Sequence, residues 1–68
     1  MDNFLAEDIE SVLISIPEKY YVPFMMFFEG YKYHEIGEHL GLPEGTVKTR
    51  IYTARKLLQE KLKSYKVS

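Results

Sequence analysis

Tyr33-His34-Glu35-Ile36-Gly37-Glu38-His39-Leu40-Gly41-Leu42-Pro43-Glu44-Gly45-Thr46-Val47-Lys48-Thr49-Arg50-Ile51-Tyr52-Thr53 is the stretch on which the reading of this chain turns. Ile36 and Leu40, four apart, give residues 33–40 one apolar helical face, and Gly41 ends that helix. A longer stripe follows from about Glu44 to Ser64, where Val47, Ile51, Ala54, Leu58 and Leu62 recur at helical spacing. Gly41 makes the turn between the two, because glycine takes a positive φ without strain. Gly37 is the small residue that lets the second helix approach, and Val47 is the apolar lock, supported by Ile36, Leu40 and Leu42. Lys48, Thr49, Tyr52 and Thr53 project outward from the second helix. These are the requirements of a helix-turn-helix, carried by residues 33–63. Two packed helices with no nucleic-acid role would meet the same spacing, and that alternative stays open at this point.

Upstream, Gly30 closes a helix that starts near Ser15-Ile16-Pro17-Glu18 and runs to about Glu29. Ser15 and Glu18 have capping-box spacing, and Pro17 falls in the first turn, where its missing N–H costs nothing. Pro23 lies inside this helix and predicts a bend or a late start. The helix is apolar nearly all round. Tyr20, Tyr21, Phe24, Met25 and Phe28 fill one face, Val22 and Met26 lie on another, and Phe27 stands beside Pro23. Such a helix is normally a buried central element. A further helix is expected from about Asp2 to Ile14. Leu5, Ile9, Val12, Leu13 and Ile16 share its apolar spacing, and Asp2, Glu7, Asp8 and Glu10 cover the rest. No stretch alternates like a strand. The expected fold is all-α, a small four-helix domain with a C-terminal helix-turn-helix, and residues 1–68 form a single domain.

Sixty-eight residues make one domain at most. A chain of this size buries only about 60% of the surface that its unfolded form exposes. With no cysteine, neither a disulfide nor a cysteine zinc site can staple it, so helix packing and partners must stabilise it. A content of 46% apolar and 28% charged residues fits an ordinary soluble domain. No apolar run approaches the ~20 residues of a membrane span. Met1-Asp2-Asn3 shows no basic start of a secretory signal, so no membrane association and a cytoplasmic location are expected. The net charge of −1 conceals a division. Residues 1–45 hold nine acids and two bases, which is −7, whereas residues 46–68 hold seven bases and one acid, which is +6. The basic end provides the local positive footprint that phosphates require, although a merely solvated helix face would look the same. His34 and His39 invite a zinc reading, but they are five apart and point about 140° away from each other on a helix. No catalytic set and no phosphate-cradling glycine loop is present, so neither enzymatic activity nor a cofactor is expected.

Leu42-Pro43-Glu44-Gly45-Thr46-Val47-Lys48-Thr49-Arg50, followed by Ala54-Arg55-Lys56-Leu57-Leu58, resembles domain four of extracytoplasmic-function sigma factors. Ile16-Pro17-Glu18-Lys19-Tyr20, Phe28-Glu29-Gly30-Tyr31 and Glu35-Ile36-Gly37 match the same pattern, so the resemblance covers about residues 9–63. The Gly-Thr-Val-Lys-x-Arg core with its Ala-Arg pair differs from the response-regulator output domain. That domain usually has histidine in place of Arg50 and lacks the Ala-Arg step.

The resemblance implies a domain that reads the minus-35 promoter element of double-stranded DNA in the major groove. It also implies docking on the β-subunit flap of the RNA polymerase core, with an anti-sigma factor as a further candidate partner. Lys48, Thr49, Tyr52 and Thr53 would read bases, while Arg50, Arg55 and Lys56 would hold phosphates. Helical spacing agrees, since 48, 52 and 56 share a face with 49 and 53 beside them. Lysine donates to guanine O6 and N7, and a threonine methyl fits a thymine methyl. Val22, Met26 and Phe27 are the expected docking residues, with Phe24 and Phe28 kept inside the core. The acids from Glu7 to Glu29 favour a basic rim on that partner.

Three positions depart from the family pattern. Thr53 replaces a frequent arginine, Gly37 replaces the usual alanine, and Lys32 stands where a serine or threonine often caps the helix. The family's other promoter-reading domain, which melts the minus-10 region, is not in this chain. The expectation is a piece of a longer sigma factor or a stand-alone remnant. The competing expectation is a helix-turn-helix-derived protein-interaction module that does not bind DNA.

Overall fold

A computed structural model of the chain describes residues 12–65. Residues 12–14 are helical, and three helices follow: α1 over Glu18–Phe28, α2 over Tyr33–Leu40 and α3 over Glu44–Tyr65. No strand occurs among the described residues. The architecture is the all-α helix-turn-helix arrangement expected from the sequence. Leu5 and Ile9, assigned to the first apolar face, lie outside the described residues.

The core forms where the helical stripes meet. Ile36 from α2 and Val47 and Ile51 from α3 are buried together, and Phe24, Met26, Phe27, Tyr33, Leu40 and Leu42 pack partly buried around them. Val12, Ile16 and Ala54 are also buried. α3 packs most extensively on α1 and next on α2. Fully burying side chains of this size contributes about 1.5–3 kcal/mol each. The α3 stripe therefore ties the helix-turn-helix to the aromatic helix before it. Its outer members, Leu58 and Leu62, are only half-buried.

α1 and α2 stop by the same device. The chain takes a positive φ at a glycine, Gly30 (φ 110) and Gly41 (φ 70). The next N–H then reaches back five residues, Tyr31 to the Met26 carbonyl at 3.1 Å and Leu42 to the Gly37 carbonyl at 2.8 Å. These bonds satisfy carbonyls that a helix end would leave unpaired.

Three local expectations need correction. Ser15 does not cap α1, because its hydroxyl donates backward to the Val12 carbonyl at 2.6 Å. Pro17 is itself the N-cap, with φ −54 and ψ 142, and its carbonyl accepts from the Tyr20 and Tyr21 N–H groups. α1 does not start late at Pro23 but runs through it. The proline removes one hydrogen bond near the helix start, and the burial of its ring offsets part of that loss. Phe28, expected inside, is 76% exposed.

Candidate nucleic-acid interface

The second helix of the motif is set on the first by a close approach. A Cβ at position 37 would lie 2.6 Å from the Leu42 carbonyl oxygen and 3.7 Å from Val47 Cγ2. Glycine is what allows the turn and the lock residue to sit against α2. The start of α2 is fixed differently from the family pattern. The Lys32 ammonium has no lone pair with which to accept, so it cannot cap. The Glu35 carboxylate instead accepts from the Lys32 N–H at 2.8 Å, which supplies the reciprocal half of a capping box.

With Val47, Ile51 and Ala54 buried, the opposite side of α3 faces outward. Lys48, Thr49, Tyr52 and Lys56 are exposed there, and Thr53 is half-buried at the edge. Arg55, exposed, and Arg50, half-buried, stand on the two shoulders. They lie about 80° and 60° from the Val47 direction, on opposite sides, at 3.6 residues per turn. The structure thus brings the seven candidate contact residues onto one continuous outward arc. Thr49 donates its hydroxyl to the Gly45 carbonyl at 3.1 Å, so it offers outward a methyl and an acceptor rather than a donor. Lys56 Nζ lies 5.8 Å from the centre of the Tyr52 ring.

Two residues join this surface that the sequence did not single out. Lys19, counted with the acidic half, lines a groove with Tyr20, Gly45, Thr46, Thr49 and Arg50. Tyr33, the first residue of α2, lies under Lys48, whose Nζ is 5.4 Å from the ring centre. Both contacts bridge separate helices, so no local pattern signals them.

The other expected site residues are placed differently. Val22 is half-buried, while Met26 and Phe27 are half-buried against the Ile36–Val47–Ile51 cluster. The Phe27 ring also stacks on Tyr33, with centroids 5.0 Å apart and planes at 11°. Phe28 and Tyr31, 76% and 49% exposed, are the free aromatic surface at this end of α1. Beside them Met26, Tyr31, Glu35, Glu38 and His39 line an open cleft. His34 and His39 are both exposed on α2, and no group of three metal-ligating side chains forms among the described residues. No described helix is long and apolar enough to cross a membrane.

The chain is also similar in sequence to known proteins. Residues 6–58 match the family model described as sigma-70, region 4. The chain is 35% identical over 60 residues to the ECF RNA polymerase sigma factor SigW of Bacillus subtilis, covering 87% of this chain and 32% of that protein. It is 36% identical over 62 residues to the ECF RNA polymerase sigma factor SigE of Mycolicibacterium smegmatis, covering 90% of this chain and 24% of that protein. It is 37% identical over 62 residues to the RNA polymerase sigma factor SigV of Bacillus subtilis, covering 90% and 37% respectively. The chain therefore spans roughly a quarter to a third of the length of these relatives. No solved structure matches it significantly.

Proposed function

The chain belongs to the sigma-70 region 4 family, on its extracytoplasmic-function branch, and from that membership we propose that it binds promoter minus-35 DNA and docks to RNA polymerase as part of a sigma factor. The observation that carries the reading is the outward arc of α3, where Lys48, Thr49, Tyr52 and Thr53 stand between Arg50 and Arg55 over a buried stripe. A helix of this kind fits the major groove, which is about 12 Å wide. Lys48 then donates to a guanine edge. Thr49 and Thr53 offer methyls to thymine, and Tyr52 adds an aromatic edge. Arg50, Arg55 and Lys56 hold phosphates and fix the register without specifying sequence. Transcription initiation in the cytoplasm follows from this role, and the domain acts by binding, not by catalysis.

The docking half of the reading rests on the exposed aromatic end of α1. Phe28 and Tyr31 are the accessible anchors and Met26 lines the cleft beside Tyr31, whereas Val22 and Phe27 are half-buried. Glu29, Glu35 and Glu38 supply an acidic rim that favours a basic surface on the polymerase β-subunit flap, or on an anti-sigma factor competing for it. Selection of duplexes from a random pool, followed by fluorescence anisotropy, tests the DNA reading. A single enriched motif whose preference relaxes at one position in Lys48→Ala is expected. Flap binding that survives while no duplex is ever enriched would favour the protein-interaction module instead.

A further inference from the structure

Phe27, Tyr33 and Lys48 come from α1, α2 and α3, and they form one stacked column. The Phe27 and Tyr33 rings are nearly parallel at 5.0 Å, and the Lys48 ammonium lies 5.4 Å from the Tyr33 centroid. Each lower member is held. Phe27 packs on the core cluster. Tyr33 opens α2, whose first turn is closed by the Glu35 carboxylate on the Lys32 N–H. The column therefore ends in a fixed aromatic face under an exposed lysine.

We propose that Tyr33 is a specificity-determining positioning residue, whose ring holds the Lys48 ammonium at the base-reading edge of α3. The proposal rests on the DNA reading above. A lysine stem has many rotamers to lose when it makes one hydrogen bond, and its ammonium has no planar fork to orient it. An aromatic face within about 6 Å of the cation narrows those rotamers before the groove is entered. The ring meets one side of the ammonium, so the N–H groups on the other side can donate to a guanine edge while the contact is kept. Such a device raises discrimination at the one base pair that Lys48 reads. It leaves phosphate affinity and its salt dependence alone, because the charge is the same with or without the ring.

The test uses the 68-residue chain in two measurements. In the first, free protein is observed by NMR, and the Lys48 ε-methylene protons are compared in wild type, Tyr33→Phe and Tyr33→Leu. Ring-current upfield shifts are expected in the first two and their loss in the third. In the second, the same proteins select duplexes from a random pool. At the position where Lys48→Ala removes a preference, Tyr33→Leu should reduce it about two- to fivefold, and Tyr33→Phe should retain it. The other positions and the salt slope should not move. A folded Tyr33→Leu variant with the Lys48-dependent preference intact overturns the proposal, and so do random-coil Lys48 shifts in the wild type. If Tyr33→Leu loses its helical circular dichroism, the wild-type shifts and the Tyr33→Phe comparison decide the pairing. If the wild type enriches no duplex while the Lys48 shifts are present, the DNA reading is what has failed, and the specificity role falls with it.

Discussion

Two glycines four residues apart meet different physical demands. Gly41 has φ 70 and open space where a Cβ would stand, so its need is purely conformational. A β-branched residue there is strained by the backbone alone, and Gly41→Val is expected to lower stability by about 1–2 kcal/mol. Gly37 needs no unusual dihedral. Its need is the 2.6 Å that separates a would-be Cβ from the Leu42 carbonyl oxygen, an atom of the turn itself. The resembling family usually has alanine at this position, and alanine would gain about 1 kcal/mol in helix propensity. In this chain the carbonyl has to move first, and forced repacking typically costs about 1–3 kcal/mol. Gly37→Ala is therefore expected to be net destabilising. Gly45→Ala, in the first turn of α3 with nothing within 4 Å of the new Cβ, should stabilise by about 0.5–1 kcal/mol. Urea midpoints of the three variants check all of this together. A Gly37→Ala midpoint as high as that of Gly45→Ala would mean the turn relaxes freely and the close approach does not require glycine.

At the scale of elements, α1 carries the correction with the largest consequence. Phe24 and Phe28 are four apart, and a helical wheel puts them on one face. Phe24 packs against the core, whereas Phe28 is 76% exposed, because α1 ends there and the chain turns away at Gly30. Period gives direction around an axis, but it cannot say how far along the axis the neighbouring helices extend. Phe28→Asp should leave the helical circular dichroism and the DNA affinity nearly unchanged while weakening flap binding. Phe24→Asp should unfold the domain. A pull-down with the flap fragment, paired with circular dichroism of both variants, separates these outcomes. Met26, half-buried on the core cluster, is a poorer probe of docking because a charge there strikes packing as well. α2 shows the opposite case. Its bounds, Tyr33–Leu40, were readable because Gly41 stops it in the sequence as in the fold. Its cap was not, since the capping bond comes from Glu35 rather than from the side chain of residue 32. Glu35→Ala should accordingly cost about 0.5–1 kcal/mol, seen as a lower urea midpoint. Ser15 shows why spacing alone misleads. It stands three before Glu18, yet its hydroxyl is already used by the preceding turn. The outward arc of α3 was legible because it needs only the period of one helix. The placing of Lys19 and Tyr33 beside it was not, because it depends on how three helices meet.

The whole molecule divides its charge, −7 over residues 1–45 and +6 over residues 46–68, and under the proposed function this division sets how it would meet DNA. A net charge of −1 gives no long-range attraction to DNA, so association depends on presenting α3 while the acidic half stays away from the phosphates. If Arg50, Arg55 and Lys56 hold phosphates as proposed, the slope of log affinity against log salt is about −2.7. Between 50 and 200 mM salt the affinity should then fall about 40-fold, from a starting point in the micromolar range or looser. Removing Arg55 deletes one contact on the shoulder of the arc. Arg55→Ala should bring the slope to about −1.8, so the same change of salt costs only about 12-fold. It should also weaken all duplexes alike. Lys48→Ala should behave in the opposite manner, relaxing the choice of base at one position by about 1–3 kcal/mol. Anisotropy titrations of wild type and both variants, on a selected and a scrambled duplex at four salt concentrations, resolve the two effects. If Arg55→Ala changes sequence preference without touching the slope, Arg55 faces bases, and the arc is rotated in the groove from the proposed orientation. If wild-type affinity does not respond to salt, phosphates are not the ligand of this surface, and the basic end of the chain serves a different partner.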